Sequence, residues 1–154
     1  MEKDCQYLSW ENAPIGPLLG HAAHLARERM DVRLARYDVT PAQTHVLLYL
    51  GEQSGPTPQR DVVEHLRVKP PTANGILDRM EEKGLIRRTA DENDQRQKQV
   101  TATEKGRELN SLVQAAFQEA EAVMVKGLRL EETEALRLLL YRVIENLEED
   151  RTTC

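Results

Sequence analysis

Four basic side chains lie on either side of, or within, the short polar run from Asp91 to Gln97, where they could contact a nucleic acid. They are Arg87, Arg88, Arg96 and Lys98. Guanidinium and ammonium groups bind phosphates, and on a protruding hairpin they can reach a groove or the backbone of a duplex. The alternative is that they only keep an exposed hairpin in solution.

The net charge of the chain is -5, which by itself argues against binding to nucleic acid. Its distribution is uneven. Residues 57–107 carry 11 basic and 9 acidic side chains, residues 1–56 carry 5 and 7, and residues 108–154 carry 5 and 10. Phosphates respond to charge within a Debye length of roughly 8 Å. The middle third, with its modest positive surplus, can therefore bind DNA while the ends stay acidic.

The residues around this stretch predict the elements that would position it. A helix ends at Gly84, where a left-handed residue closes it without a Cβ penalty, and its buried stripe is Ala73, Ile76, Leu77 and Met80. Residues 85–89 and 99–103 follow as the two strands of a hairpin. A short helix that leads into a charged β-ribbon is the layout of a winged helix-turn-helix.

Helix start signals predict three helices upstream of the hairpin, after a first helix over residues 14–37. Thr40, Pro41 and Gln43 form a capping box at the start of the second helix. Thr57 and Pro58 repeat the start signal for a short third helix. Pro70 and Pro71 open the fourth, which is the reading element of the helix-turn-helix.

Two long helices are expected after the hairpin, the first capped by Thr103 and interrupted at Gly127. Together with the stripe of the first helix, their apolar stripes are too extensive for one short domain to cover. We expect the first helix and the last two to pack against a second copy, whereas the alternative is that they fold back onto the same chain. The resulting fold class is mainly α with a small β-wing. Residues 14–37 and 104–148 form a dimerisation region, residues 40–103 a winged region, and residues 1–13 and 149–154 flexible ends.

Several function classes lack support in the sequence. The chain has no apolar run of the roughly 20 residues that a membrane span needs and no secretory signal, so a cytoplasmic protein without a membrane partner is expected. Cys5 and Cys154 stand at opposite ends and support neither a disulfide framework nor a zinc finger. His21 and His24 share a helix side without a third ligand, so no metal site is predicted. No nucleophile and base stand at usable spacing, so an enzyme is not expected.

In the order and spacing of its motifs the chain resembles the MarR family of bacterial transcription regulators, from about residue 14 to residue 147. The motifs are Val39-Thr-Pro-Ala-Gln43, Ile76-Leu-Asp-Arg-Met80-Glu-Glu-Lys-Gly-Leu-Ile86, Asp94-Gln-Arg96 and Thr103-Glu-Lys-Gly106. The resemblance implies a homodimer that binds a palindromic operator, as a repressor or less often an activator. It also implies that a small-molecule effector modulates the affinity. The alternative is a winged-helix module that binds protein and no DNA.

The resemblance and the chemistry of the side chains together give roles to individual residues. Thr72, Asn74 and Gly75 would face base edges and phosphates, with Asn74 able to pair bidentately with adenine. Asp94 would steady the hairpin tip by pairing with Arg87 or Arg88, while Arg96 enters the minor groove. The remaining DNA contacts are expected from Arg60, Lys69, Arg88 and Lys98.

No cofactor is predicted, but the resemblance implies an effector crevice between the first, second and fifth helices. Four side chains there could offer hydrogen-bond donors to a small anionic or phenolic ligand. They are His24, Arg27, Thr44 and His45. For His45, a hydrogen bond within its own lobe is at least an equal alternative.

Overall fold

A computed structural model describes residues 10–153 of the chain. Helices dominate the described residues, and a small antiparallel sheet lies among them. The helices are α1 (Ile15–Leu34), α2 (Pro41–Glu52), α3 (Gln59–Leu66), α4 (Pro70–Glu82), α5 (Glu104–Met124) and α6 (Leu130–Thr153). The strands are β1 (Thr57–Pro58), β2 (Ile86–Ala90) and β3 (Lys98–Ala102). Single 3₁₀ turns over Trp10–Asn12 and Ala35–Tyr37 flank α1.

Capping groups fix the starts of two helices, as the sequence predicts. At α2, the backbone N–H of Gln43 donates to Thr40 Oγ1 and the backbone N–H of Thr40 donates to Gln43 Oε1, both at 3.2 Å. At α5, the N–H of Gly106 donates to Thr103 Oγ1 at 3.1 Å. These bonds pair N–H groups that the first helical turn leaves without intrahelical partners.

The sheet has the strand order β1-β3-β2, with both pairs antiparallel. The predicted hairpin is confirmed, with each strand shifted by one residue. The prediction that Thr57 begins the third helix was wrong, because Thr57 lies opposite Val100 in the sheet. Its hydroxyl donates to the carbonyl of Gly55, and α3 begins two residues later at Gln59. A two-residue strand that includes proline has too little alternation to be recognised from sequence.

The main apolar core lies where α2, α3 and α4 meet the sheet. Its buried side chains are Val46, Leu47, Leu50, Val62, Leu77, Met80, Leu85, Ile86 and Val100. Two glycines let the chain close tightly around it. Gly84 ends the reading helix with a φ of 72°, and a Cβ at Gly106 would lie 2.0 Å from the carbonyl oxygen of Leu85. The winged region therefore buries a core within one copy of the chain.

The contacts of the chain divide it into two compact units, Met1–Ala120 and Glu121–Cys154. The second unit consists of the end of α5, a turn at Gly127 with a φ of 84°, and α6. The end predicted to be flexible, residues 149–154, is helical over most of its length, because α6 continues to Thr153. Glu148, Glu149 and Arg151 are good helix formers, and no glycine or proline interrupts them. Cys154 and residues 1–9, which include Cys5, lie outside the described residues.

Across the described part of the chain, none of the helices combines the length and the apolar character that crossing a membrane requires.

Candidate nucleic-acid interface

Helix α4 presents a polar edge because its apolar side is committed to the core. Ala73, Leu77 and Met80 are fully buried. Thr72 and Asn74 are exposed and Gly75 is half-buried, so these three lie together on the first turns of the helix. Lys69 precedes the helix as its N-cap and is also exposed. The predicted reading residues thus stand on one accessible part of α4.

The side chain of Asn74 is tied to the preceding helix by a bond that the sequence did not predict. Gln59 Nε2 donates to Asn74 Oδ1 at 3.1 Å. Gln59 is the first residue of α3, fifteen positions earlier in the chain. The sequence signal that could have found it is weak: each of the two helices of the helix-turn-helix carries an amide side chain near its start.

The wing tip, residues 91–97, is ordered by its own carboxylates. Asp94 Oδ1 accepts from the backbone N–H of Arg96 at 3.0 Å, and the carbonyl of Asp94 accepts from the N–H of Gln97 at 2.9 Å. Asp94 thus lies where a tip-steadying role requires it, although it acts on the backbone of Arg96 and not on Arg87 or Arg88. The side chain of Arg96 remains exposed.

Asp91 closes the base of the tip, a role that the sequence analysis did not assign. Its Oδ1 accepts from the N–H of Asn93 at 2.9 Å, and its Oδ2 accepts from Gln99 Nε2 at 2.9 Å. The bond from the Asn93 backbone, followed by the bond from Gln99, holds the pKa of the Asp91 carboxyl below its ordinary value. The two aspartates together hold the turn that carries Arg96.

Arg88 braces the wing against α4 and does not point freely to solvent. Its Nη2 contacts the carboxylates of Asp78 and Glu81, and its backbone N–H donates to Glu81 Oε2 at 2.9 Å. The side chain of Arg88 is only 13% exposed. The predicted pairing of Asp94 with Arg88 was therefore wrong, and these contacts argue against the predicted role of Arg88 in DNA binding. The two carboxylates of α4 thus form ion pairs with the guanidinium of Arg88 on strand β2.

The contact with Arg88 favours the ionised form of Glu81. The side-chain hydrogen bond from Arg88, followed by the bond from the Arg88 backbone, holds the pKa of the Glu81 carboxyl below its ordinary value. The group is only slightly buried, so solvent screens much of the interaction. The pair therefore orients the wing on the reading helix more than it stabilises the fold.

Lys83 fastens the end of the reading helix to the turn before α2. Its Nζ donates to the carbonyl of Asp38 at 2.7 Å and to Gln43 Oε1 at 3.3 Å. Lys105 Nζ donates in turn to the carbonyl of Lys83 at 2.8 Å. The same Gln43 oxygen belongs to the capping box of α2, so the ends of α4 and the starts of α2 and α5 share one set of polar contacts.

The other predicted phosphate contacts lie on accessible surface. Arg60 is on the first turn of α3, and its Nε lies 3.2 Å from Asp61 Oδ1. Its side chain remains 75% exposed, so this pair leaves it available to a phosphate. Lys98 is exposed at the start of β3, opposite Ala90. These positions agree with a basic rim around α4 and the wing tip.

The four predicted effector-contacting residues lie in different surroundings. Thr44 is 1% exposed, and its hydroxyl donates to the carbonyl of Thr40 at 3.1 Å. His45 lines an open cleft on the α2 and α3 side together with Tyr49, Asp61, Glu64, His65, Leu66 and Arg67. His24 and Arg27 are exposed on α1. Thr44 and His45 point about 100° apart on α2, and the cleft that His45 lines includes none of the other three residues, so their effector role stays a prediction.

Comparison with known proteins places this arrangement in a family. A sequence model of the MarR family matches residues 37–97. A probable transcriptional regulator from Pseudomonas aeruginosa is 32% identical, with 80% of this chain and 95% of that chain covered and a TM-score of 0.65. The chain belongs to the MarR family.

Solved structures of Staphylococcus aureus MepR are also similar to this chain. MepR in its DNA-binding conformation is 29% identical, with 88% of this chain and 99% of MepR covered and a TM-score of 0.73. The MepR–DNA complex is 29% identical, with 87% and 98% covered and a TM-score of 0.75. The likeness extends beyond the part that the MarR family model matches, so it includes the helices outside the winged region.

Proposed function

We propose that the protein is a homodimeric bacterial transcription regulator that acts as a repressor and binds a palindromic operator in double-stranded DNA. The observation that carries the proposal is the joint exposure of Thr72 and Asn74 on α4 and of Arg96 on an ordered wing tip. A helix in a major groove and a basic tip in a minor groove match these two elements. MepR, a MarR-family relative of similar structure, has been solved in complex with DNA.

Pairing of two copies is supported by α6. Its apolar residues at threes and fours leave a broad stripe exposed, which comprises Leu136, Leu139, Leu140, Ile144 and Leu147. Contiguous apolar surface of this kind on a monomer marks an interaction site. A second copy would cover such a stripe through an isologous contact, and it would place two reading helices at a fixed separation, as a palindrome requires.

The proposal includes modulation by a small anionic or phenolic effector that changes the separation of the two reading helices. It rests on membership of the MarR family alone, since the cleft that His45 lines includes none of the other three candidate residues. No cofactor and no catalytic step are proposed; MepR is a transcription regulator and the Pseudomonas aeruginosa relative a probable one. Such a regulator would act in the cytoplasm, where bacterial DNA lies.

A mobility-shift titration with the DNA upstream of the protein's own gene tests the proposal. We expect a discrete complex whose affinity falls steeply between about 50 and 200 mM salt, because phosphate contacts release counterions. A scrambled fragment of equal length is the control. No retardation at micromolar protein and low salt would instead favour a winged-helix module that binds protein.

A further inference from the structure

The amide of Asn74 has a fixed partner before any DNA arrives. Gln59 Nε2 donates to Asn74 Oδ1 at 3.1 Å, and both residues lie at the starts of the two helices of the helix-turn-helix. An asparagine amide has one acceptor end and one donor end. Because the oxygen is turned towards α3, the amine of Asn74 is the end left free to face a groove.

The other end of the Gln59 amide makes no hydrogen bond within the described residues that would offset its burial. Gln59 Oε1 is buried and has no hydrogen-bond partner among the described residues. A buried polar atom without a partner costs free energy, so a methionine of similar length would suit the fold equally well. A role in orienting Asn74 for a base contact would explain why such a side chain occupies this position.

Building on the DNA-binding function proposed above, we propose that Gln59 is a specificity-determining residue that sets which base Asn74 accepts. With its amine outward, Asn74 donates to a base edge that offers an acceptor. In the major groove, guanine offers O6 and N7, adenine offers N7 and thymine offers O4, whereas cytosine offers only an amine. Asn74 therefore accepts guanine, adenine or thymine at one position of each half-site and rejects cytosine.

This proposal replaces the bidentate adenine contact expected from the sequence. That contact needs the Asn74 oxygen to accept from adenine N6 while the amine donates to N7. In the structure the oxygen accepts from Gln59 on the α3 side, and the proposal assigns the base contact to the amine. Gln59 thus acts through Asn74 and does not itself touch a base.

Selection of preferred sequences from a random DNA pool, followed by competition binding, tests the proposal. Gln59→Met keeps the side-chain length and removes the amide, which frees Asn74 to pair with adenine through both its oxygen and its amine. Gln59→Glu offers only acceptors, so it must take a hydrogen bond from the Asn74 amine and turn Oδ1 outward. Gln95→Glu, on the exposed wing tip, is the control that adds the same charge.

We expect the wild type to prefer guanine, adenine or thymine over cytosine at one position by roughly five- to tenfold. Asn74→Ala should lose this preference, Gln59→Met should narrow it to adenine, and Gln59→Glu should turn it towards cytosine. Gln95→Glu should lower affinity for all sequences alike. In an Asn74→Ala background, Gln59→Glu should leave the preference at that position unchanged.

The failures are distinguishable. If the wild type selects no motif, the proposed function fails and this inference fails with it. If the wild type selects a motif but both Gln59 variants keep its preferences, only the inference is overturned. A shift caused by Gln59→Glu without Asn74 also overturns it, because Gln59 would then read DNA directly. Thermal unfolding of each variant establishes that it is folded, and Gln59→Met should unfold no earlier than the wild type.

Discussion

In the winged region Leu47, Leu77 and Met80 are at most 1% exposed, whereas on α6 Leu139 and Leu147 are 56% and 62% exposed. Both regions use apolar residues at helical spacing, but only the first closes a core within one chain. Folding of the winged region therefore depends on contacts within the monomer. The stability of α6 is expected to depend on association, and hence on protein concentration.

The largest effect is expected when the α6 stripe is made polar. Leu139→Asp combined with Leu147→Asp should raise the dimer dissociation constant at least about 100-fold, because two charges would be buried without partners. Sedimentation velocity over a range of concentrations measures this. Glu145→Lys changes a charge that lies on the other side of α6 and should leave the dimer intact. A dimer that survives the double substitution would show that α6 is not the interface.

A core substitution should act on each copy separately. Leu77→Ala removes a fully buried side chain, and it should lower the free energy of unfolding by about 2–5 kcal/mol. The loss should be the same at every protein concentration when the winged region is followed in denaturant. Leu138→Ala, at a residue that is 60% exposed, should change the same transition little.

A methyl group added at Gly106 on α5 should have a different effect from one added at Gly16 on α1. Gly106→Ala would place a Cβ against the backbone carbonyl of Leu85, which cannot rotate away, and it should cost about 1–3 kcal/mol of stability. Gly16→Ala on α1 meets nothing within 4 Å and should be neutral or stabilising. Thermal unfolding of the two variants gives the comparison, and equal melting temperatures would contradict it.

Substitutions of two wing arginines should affect different properties, one the stability of the fold and the other the affinity for DNA. Arg88→Ala removes the brace on Asp78 and Glu81 and should lower the free energy of unfolding by about 1 kcal/mol, because both carboxylates are partly solvated. Arg96→Ala should leave unfolding unchanged, weaken operator binding, and reduce the salt slope by about one. Denaturant unfolding and salt-dependent shift assays on both variants test this. Equal binding losses would restore Arg88 as a DNA contact.

The smallest effect concerns acid stability. The pKa of Glu81 is lowered by the hydrogen bonds from Arg88, so its contribution is present above the ordinary glutamate pKa of about 4.3 and is lost as pH falls through the lower folded value. Below about pH 4.3, Glu81→Gln should therefore lose less stability than the wild type, by under about 1 kcal/mol. Unfolding curves at several acidic pH values measure the difference, which should vanish in an Arg88→Ala background.

Local signals in the sequence were enough for most of the fold. The capping box at Thr40, the prolines at the start of α4 and the glycine at its end act on their own neighbours, so their effects could be inferred one element at a time. The strand at Thr57 could not be, because the strand it pairs with lies forty-three positions away, where Val100 is opposite Thr57. Its pairing depends on the tertiary fold.

In the candidate interface too, features set by local sequence were predicted and contacts between distant elements were not. Exposure of Thr72, Asn74 and Arg96 follows from helix period and turn chemistry, which the sequence shows. The partners of Arg88 and Asn74 lie on other elements, and the choice among nearby carboxylates and amides depends on distances that spacing does not supply. Prediction from sequence thus located the interface but missed the side chains that orient it.

The hydrogen bonds of the wing tip also bear on the entropy of binding. A loose seven-residue loop would lose conformational freedom on entering a groove, at about 1–2 kcal/mol for each backbone residue fixed. Here Asp91 and Asp94 have already fixed the backbone around Arg96 during folding. Only the rotamers of the arginine side chain remain to be ordered, so more of the contact energy is available as affinity.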